Sequence, residues 1–210
     1  MTLDYLRDPR EITRRSFAIV RAEAELGGLP CDIAAVAVRL VHACGMPDIV
    51  AGLEWDGEVV ARGRAALEAG AAVIADANMV AHGIIAGQLP AANRVLCMID
   101  DPRAAALAEG GRTTRAAASV ELWAEHLAGA VVAIGTAPTA LWRLIEMLQD
   151  GAPEPAVILA FPVGFVGAAE SKHALTTARL AIPFLTLRGR RGGSALAAAA
   201  VNALARAEET

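Results

Sequence analysis

This sequence predicts an α/β fold: a single domain over residues 1–210, with a five-stranded, mainly parallel sheet flanked by helices. Three observations lead there. Strand-like apolar runs alternate with helical stretches, the pattern that pairs strands in parallel through crossover helices. Three of those runs, 131–135, 156–161 and 183–187, empty into glycine-rich turns that open onto helices: TAPTALWRL, PVGFVGAAESK and RGRRGGSALAAAA. Finally, 210 residues that are 55% hydrophobic, with no dividing linker, suit one domain with its own core.

The elements follow in order. Asp8-Pro9-Arg10-Glu11 starts the first helix, with an aspartate cap, proline at the first helical position and glutamate three residues after the cap. It is expected to run to about residue 26. Pro30 and Asp32 open a second helix whose apolar residues Ile33, Val36, Leu40, Val41 and Cys44 keep helical spacing up to Gly45. A polar segment at 55–57 and a helix near 59–69 come next. Five strands are expected at 72–75, 95–99, 131–134, 157–161 and 184–187, and helical propensity accounts for the alanine-rich helix that ends the chain.

In a parallel sheet the strand-to-helix turns gather at one edge, where backbone N–H groups and helix N-termini favour anions. None of the three turns reads as a phosphate loop or a dinucleotide fingerprint, so an anion other than a nucleotide is expected. Arg188, Arg190 and Arg191 cluster in the last turn, and Arg14, Arg15 and Arg21 lie on the first helix. Guanidinium forks suit carboxylates. A net charge of −4 argues against a nucleic-acid partner. Aromatics are only 4%, so the apolar character comes from small aliphatic side chains, and some of it is expected to be covered in a homo-oligomer.

Three dispersed cysteines, Cys31, Cys44 and Cys97, fit a reducing cytoplasm, and the acidic start MTLDYLRDPRE lacks a signal-peptide core. No apolar stretch is long enough to span a bilayer, so no membrane association is expected. Neither cysteines nor histidines show metal-ligand spacing, and no metal or cofactor is expected. Among the histidines, His126 and His173 read as surface residues and His82 as a secondary candidate near the cleft edge. His42 is the foremost candidate acid, because it borders an apolar helical face one turn from a helix C-terminus, which favours the protonated ring. Asp76, Asp100 and Asp101 sit at strand ends, where a carboxylate either acts as a base or caps a turn.

Six blocks carry a family likeness: RRSFAIVRAEA from Arg14, AVRLVHACG ending at Gly45, DANMVAHGI from Asp76, VVAIGTAPTALWRL from Val131, FPVGFVGAAESK from Phe161 and RGRRGGSA from Arg188. Together, in order and across nearly the whole chain, they resemble the precorrin-8X methylmutase family of cobalamin biosynthesis. The resemblance implies an isomerase that moves a methyl group from C11 to C12 of precorrin-8X to give hydrogenobyrinate. It also implies a homodimer, a five-stranded parallel sheet and no added cofactor. The family's catalytic histidine falls on His42, a substrate-contacting serine on Ser16 and a motif arginine on Arg115. Arg15, Arg188, Arg190, Gly164 and Ser171, within the matched blocks, are the further expected contacts to a tetrapyrrole polycarboxylate. Hand-over of product to the next enzyme of the pathway is a further expectation.

The family pattern has Glu, Asn and Met where this chain has Arg14, Thr136 and Leu196. Two other readings compete: a cobalt-precorrin-8 methylmutase, whose substrate already holds cobalt, and a non-catalytic corrinoid carrier. The presence of His42 argues against the carrier.

Overall fold

A computed structural model describes residues 3–206. The chain runs α1 (Pro9–Glu23), α2 (Cys31–Cys44), a 3₁₀ turn (Pro47–Gly52), β1 (Leu53–Asp56), α3 (Val59–Glu68), β2 (Val73–Ala75), α4 (Asn78–Gly83) and a second 3₁₀ turn (Ala86–Gln88). It continues with β3 (Val95–Cys97), α5 (Pro102–Gly111), α6 (Arg115–Glu121), α7 (Ala124–Leu127), β4 (Val131–Ile134) and α8 (Pro138–Gln149). Then come β5 (Val157–Ala160), α9 (Ala168–Thr177), β6 (Phe184–Leu187) and α10 (Ser194–Ala205).

The sheet order is β1-β6-β5-β4-β2-β3. Five strands are parallel, as the alternating pattern predicts. The sheet also has a sixth strand, because Leu53–Asp56, which overlaps the segment read as polar at 55–57, pairs antiparallel with β6 from Leu53↔Leu187 to Asp56↔Phe184. An edge strand needs only one covered face, so its mixed composition hides it from a search for apolar runs. The first helix stops at Glu23 because Ala24 turns to extended backbone, at φ −86 and ψ 138.

Period-two alternation sorts the strand residues onto two helical layers. Val131 and Ala133, with Val157 and Leu159, face the layer of α1, α2, α3, α4 and α10. Val132, Ile134, Ile158 and Ala160 face the layer of α6, α8 and α9. Both faces are covered, which is why β4 and β5 are buried at every position. Close approach demands glycine at two places. A Cβ on Gly135 would stand 2.8 Å from Ser194 Cα and 2.8 Å from Val80 Cγ2. At Gly192 it would collide with the carbonyl oxygens of Phe161 and Pro162, locking the turn after β6 against the turn after β5.

The two halves of the sheet wind in opposite directions, so β2 and β4 are neighbours with diverging crossovers. This is where an open α/β sheet places its ligand crevice. The structure fills it from within. The Asp76 carboxylate, at the end of β2, accepts hydrogen bonds at 2.9 Å from the backbone N–H groups of Gly135, Thr136 and Ala137.

Candidate active site

α2 buries Ile33, Val36, Ala37, Leu40 and Val41, and it ends because Gly45 takes the left-handed conformation at φ 70. His42 lies in its last turn, at the border of that buried face. Ser16 approaches from α1, and its Oγ is 2.7 Å from His42 Nδ1. The Phe17 ring meets the imidazole edge-on, with centroids 5.1 Å apart and planes at 88°. Both rotational and translational freedom of the imidazole are thus restricted by two consecutive residues of α1. The ring is otherwise exposed in the single chain, less shielded than its border position suggested.

With Nδ1 engaged by Ser16, Nε2 is the nitrogen left to meet a ligand. A hydroxyl serves both protonation states, since it donates to the neutral ring's lone pair and accepts from an imidazolium N–H. The histidine stands between two hollows. One, of about 460 Å³, is largely apolar, lined among others by Leu6, Ile12, Ile19 and Val20. The other, of about 400 Å³, runs along α10 over Ala195, Ala198, Ala199 and Asn202, and is closed on the far side by Phe17, Arg39 and Gly83. The alanines recur at helical spacing along this trough, so small side chains here make room as well as favouring helix.

Of the residues singled out from sequence, Arg15 and Ser16 line the apolar hollow together with His42. Arg15 is also tied to Glu11, at 2.8 Å, as is Arg14 at 2.6 Å. These two guanidiniums hold the Glu11 carboxyl at about 2, Arg14 contributing more. Arg115, Arg188, Arg190, Gly164 and Ser171 line neither hollow. Arg115 is exposed at the start of α6, 3.8 Å from Asp100. Arg188 pairs with Glu54 at 3.0 Å, and Arg190 lies over the Phe165 ring, 5.4 Å from its centre. Gly164 donates its N–H to the Arg190 carbonyl. Ser171 is fully buried, its hydroxyl donating to the Ala168 carbonyl.

Two buried ionisable groups support this edge of the sheet. Burial pushes the Asp76 carboxyl up, while its three backbone N–H partners pull it back. Lys172 is almost wholly buried and donates to the Arg191 carbonyl at 2.6 Å, and desolvation lowers its amine to about 8. His82 is exposed, with Nδ1 2.8 Å from the Asn78 carbonyl. Among the described residues no three of His, Cys, Asp or Glu converge to hold a metal ion. No described helix is long and apolar enough to cross a membrane.

The precorrin-8X methylmutase family model matches residues 11–207. This chain belongs to that family. A precorrin-8X methylmutase from Pseudomonas aeruginosa is 56% identical, covering 99% of this chain and 100% of its own length. One from Sinorhizobium sp. is 55% identical over 97% of each. A cobalt-precorrin-8 methylmutase from Methanothermobacter thermautotrophicus is 36% identical over 92% of this chain and 91% of its own. The solved precorrin-8X methylmutase of Thermus thermophilus superposes with a TM-score of 0.85 at 37% identity, covering 93% of this chain and 94% of that one. Membership of the precorrin-8X methylmutase family makes this chain an isomerase of cobalamin biosynthesis rather than a carrier. The mixed six-stranded sheet is the framework that this family member uses to set α1, α2 and α10 around His42.

Proposed function

We propose that this isomerase moves a methyl group from C11 to C12 of precorrin-8X, giving hydrogenobyrinate, with His42 as general acid. The observation that carries the reading is the Ser16–His42 pair, 2.7 Å apart, at the boundary between an apolar hollow and a trough edged by arginine. A flat apolar macrocycle fringed with carboxylates needs surfaces of both kinds. The imidazolium gives its Nε2 proton to the conjugated ring while Nδ1–H still donates to Ser16. Protonation makes the ring electron-poor, the methyl migrates within it, and loss of a proton then restores the formula, as an isomerisation requires. A positioned acid contributes roughly 10²–10⁴ in rate. Orientation of the macrocycle supplies much of the rest, because the migrating group never leaves the substrate.

The same reading assigns Arg15, Arg115, Arg188 and Arg190 to substrate carboxylates, and it makes the enzyme a cytoplasmic homodimer. Exposed apolar side chains support the dimer: Ile12 and Ile19 at 44% and 55% exposure beside the site, and Phe165 and Val166 at 84% and 88% in the turn after β5. The cobalt-free substrate is favoured over the cobalt-bearing one by identities of 56% and 55% to precorrin-8X methylmutases against 36% to a cobalt-precorrin-8 methylmutase. The test is His42→Asn and His42→Ala. Both should bind hydrogenobyrinate while turnover of precorrin-8X falls by about 10²–10⁴. An Asn variant with near-normal turnover excludes proton donation, because an amide has no transferable proton at neutral pH.

A further inference from the structure

The last helix carries one polar side chain that its own composition does not call for. Apart from Ser194 at its start, α10 is alanine, leucine and valine, interrupted by Asn202. Asparagine is a poor residue for a helix interior, because its amide competes for backbone hydrogen bonds. Here the amide reaches away from its own helix. Asn202 Oδ1 accepts from the Ile85 N–H at 2.9 Å and Nδ2 donates to the Gly83 carbonyl at 3.0 Å, to partners 117 and 119 residues distant in sequence. Only one orientation of the amide satisfies both.

Gly83 and Ile85 belong to the strap 83–88, which leads from the end of α4 through the second 3₁₀ turn. Gly83, Ile85 and Gln88 line the trough beside His42, so the strap is one of its walls. Its own packing is thin. Ile84 is buried, but Gly83, Ala86 and Gly87 are exposed and Ile85 keeps 47% of its surface. A segment with so few buried contacts opens at low free energy unless it is tied down. The ties come from α10. Asn202 holds the two peptide groups that flank Ile84, and Arg206 Nε donates to Gln88 Oε1 at 2.8 Å. At the near end the backbone approaches so closely that a Cβ on Gly83 would stand 2.7 Å from Ala198 Cβ.

We propose that Asn202 is a positioning residue of the isomerase, holding the 83–88 strap against α10 so that the trough over His42 is formed before the substrate arrives. The role rests on the proposed function, in which this trough receives the tetrapyrrole. Asn202 also borders the trough, but its amide is engaged with the strap backbone, and it acts through that strap. The consequence falls on affinity. Without the amide only the fraction of molecules with a closed strap is competent to bind, so apparent affinity drops by that fraction, while the complex once formed reacts as before.

The experiment compares wild type, Asn202→Ala, Gly83→Ala and the swap Gly83→Ala/Ala198→Gly. Three quantities are read: hydrogen exchange of the Ile85 amide, Kd for hydrogenobyrinate by its visible absorbance, and KM and kcat for precorrin-8X. Asn202→Ala should speed Ile85 exchange and raise both Kd and KM about tenfold, with kcat within about twofold. Gly83→Ala keeps Asn202 but pushes the strap off α10, so it should raise Kd and KM in the same way and carries the test should Asn202→Ala fail to fold. The swap returns the methyl group to the same gap and should recover most of the affinity. A role in stability alone would lower the urea midpoint of Asn202→Ala and leave Kd and KM within twofold of wild type, and that result overturns the positioning role while the proposed function stands. Unchanged Ile85 exchange in a folded Asn202→Ala overturns it as well. A wild-type chain that neither binds hydrogenobyrinate nor turns over precorrin-8X overturns the proposed function and this role together.

Discussion

Ser16 Oγ and His42 Nδ1 lie 2.7 Å apart although 26 residues separate them, so the imidazole is held by a helix other than its own. The hydroxyl belongs to α1 and the ring to α2, and Phe17, the next residue, closes against the ring's edge. A shift of α1 along α2 therefore moves both constraints together.

Ser16→Ala removes the partner of Nδ1 and keeps Phe17. A hydrogen bond of this kind contributes about 0.5–1.5 kcal/mol, so turnover should fall roughly threefold to tenfold, far less than for His42→Asn. The loss should fall on kcat and leave KM within about twofold, because Ser16 orients the ring. A merely structural serine would alter thermal stability and leave kcat unchanged.

Asp76→Asn should destabilise the fold by about 1–3 kcal/mol or more, because its NH₂ replaces an acceptor that faces three backbone N–H donors. The carboxylate accepts on both oxygens, Oδ1 from Gly135 N and Oδ2 from Thr136 N and Ala137 N, and an amide has a single oxygen, so in either orientation at least one N–H is left facing NH₂. Urea denaturation checks this. A midpoint equal to wild type would mean that the β4 turn holds its shape without the buried anion.

Lys172 gives a signed pH dependence. Desolvation lowers its amine from 10.5 to about 8 in the folded chain, so the unfolded chain binds more protons between those values. Stability from this group therefore rises with pH across the window, and the burial penalty is fully present below about 8. Cys97, raised by burial, titrates with the opposite sign, so the comparison must be between variants. Lys172→Met should show a smaller rise in urea midpoint than wild type over that range. Identical slopes would exclude Lys172 as the source.

Ile19→Asp probes the proposed dimer. Ile19 is 55% exposed on α1 in the single chain and lines the apolar hollow with His42. A charge in a buried interface costs several kcal/mol. Sedimentation at micromolar concentration should show twice the 21.7 kDa chain mass for wild type and a monomer for the variant. A wild-type monomer would remove the shared interface from the mechanism.

The sequence by itself determined the class of fold, all five parallel strands to within two residues, and His42 as the foremost candidate acid. These are legible because periodicity and helix signals are local: Ile33, Val36, Leu40 and Val41 mark the buried face of α2, and Gly45 marks its end. Tertiary structure alone decided what His42 meets. The Ser16 contact depends on the angle at which α1 crosses α2, which no local pattern encodes. Leu53–Asp56 became a strand only because β6 offered it an edge, and the trough on α10 is lined by Ala195, Ala198 and Ala199 because helix packing sets these short side chains beside α1, α2 and α4. The crevice expected at the glycine-rich turns went the other way. Asp76 reaches across from β2 to occupy the N–H groups of the Gly135 turn, so the backbone donors that a sequence reading offers to a ligand are already satisfied by the chain's own carboxylate.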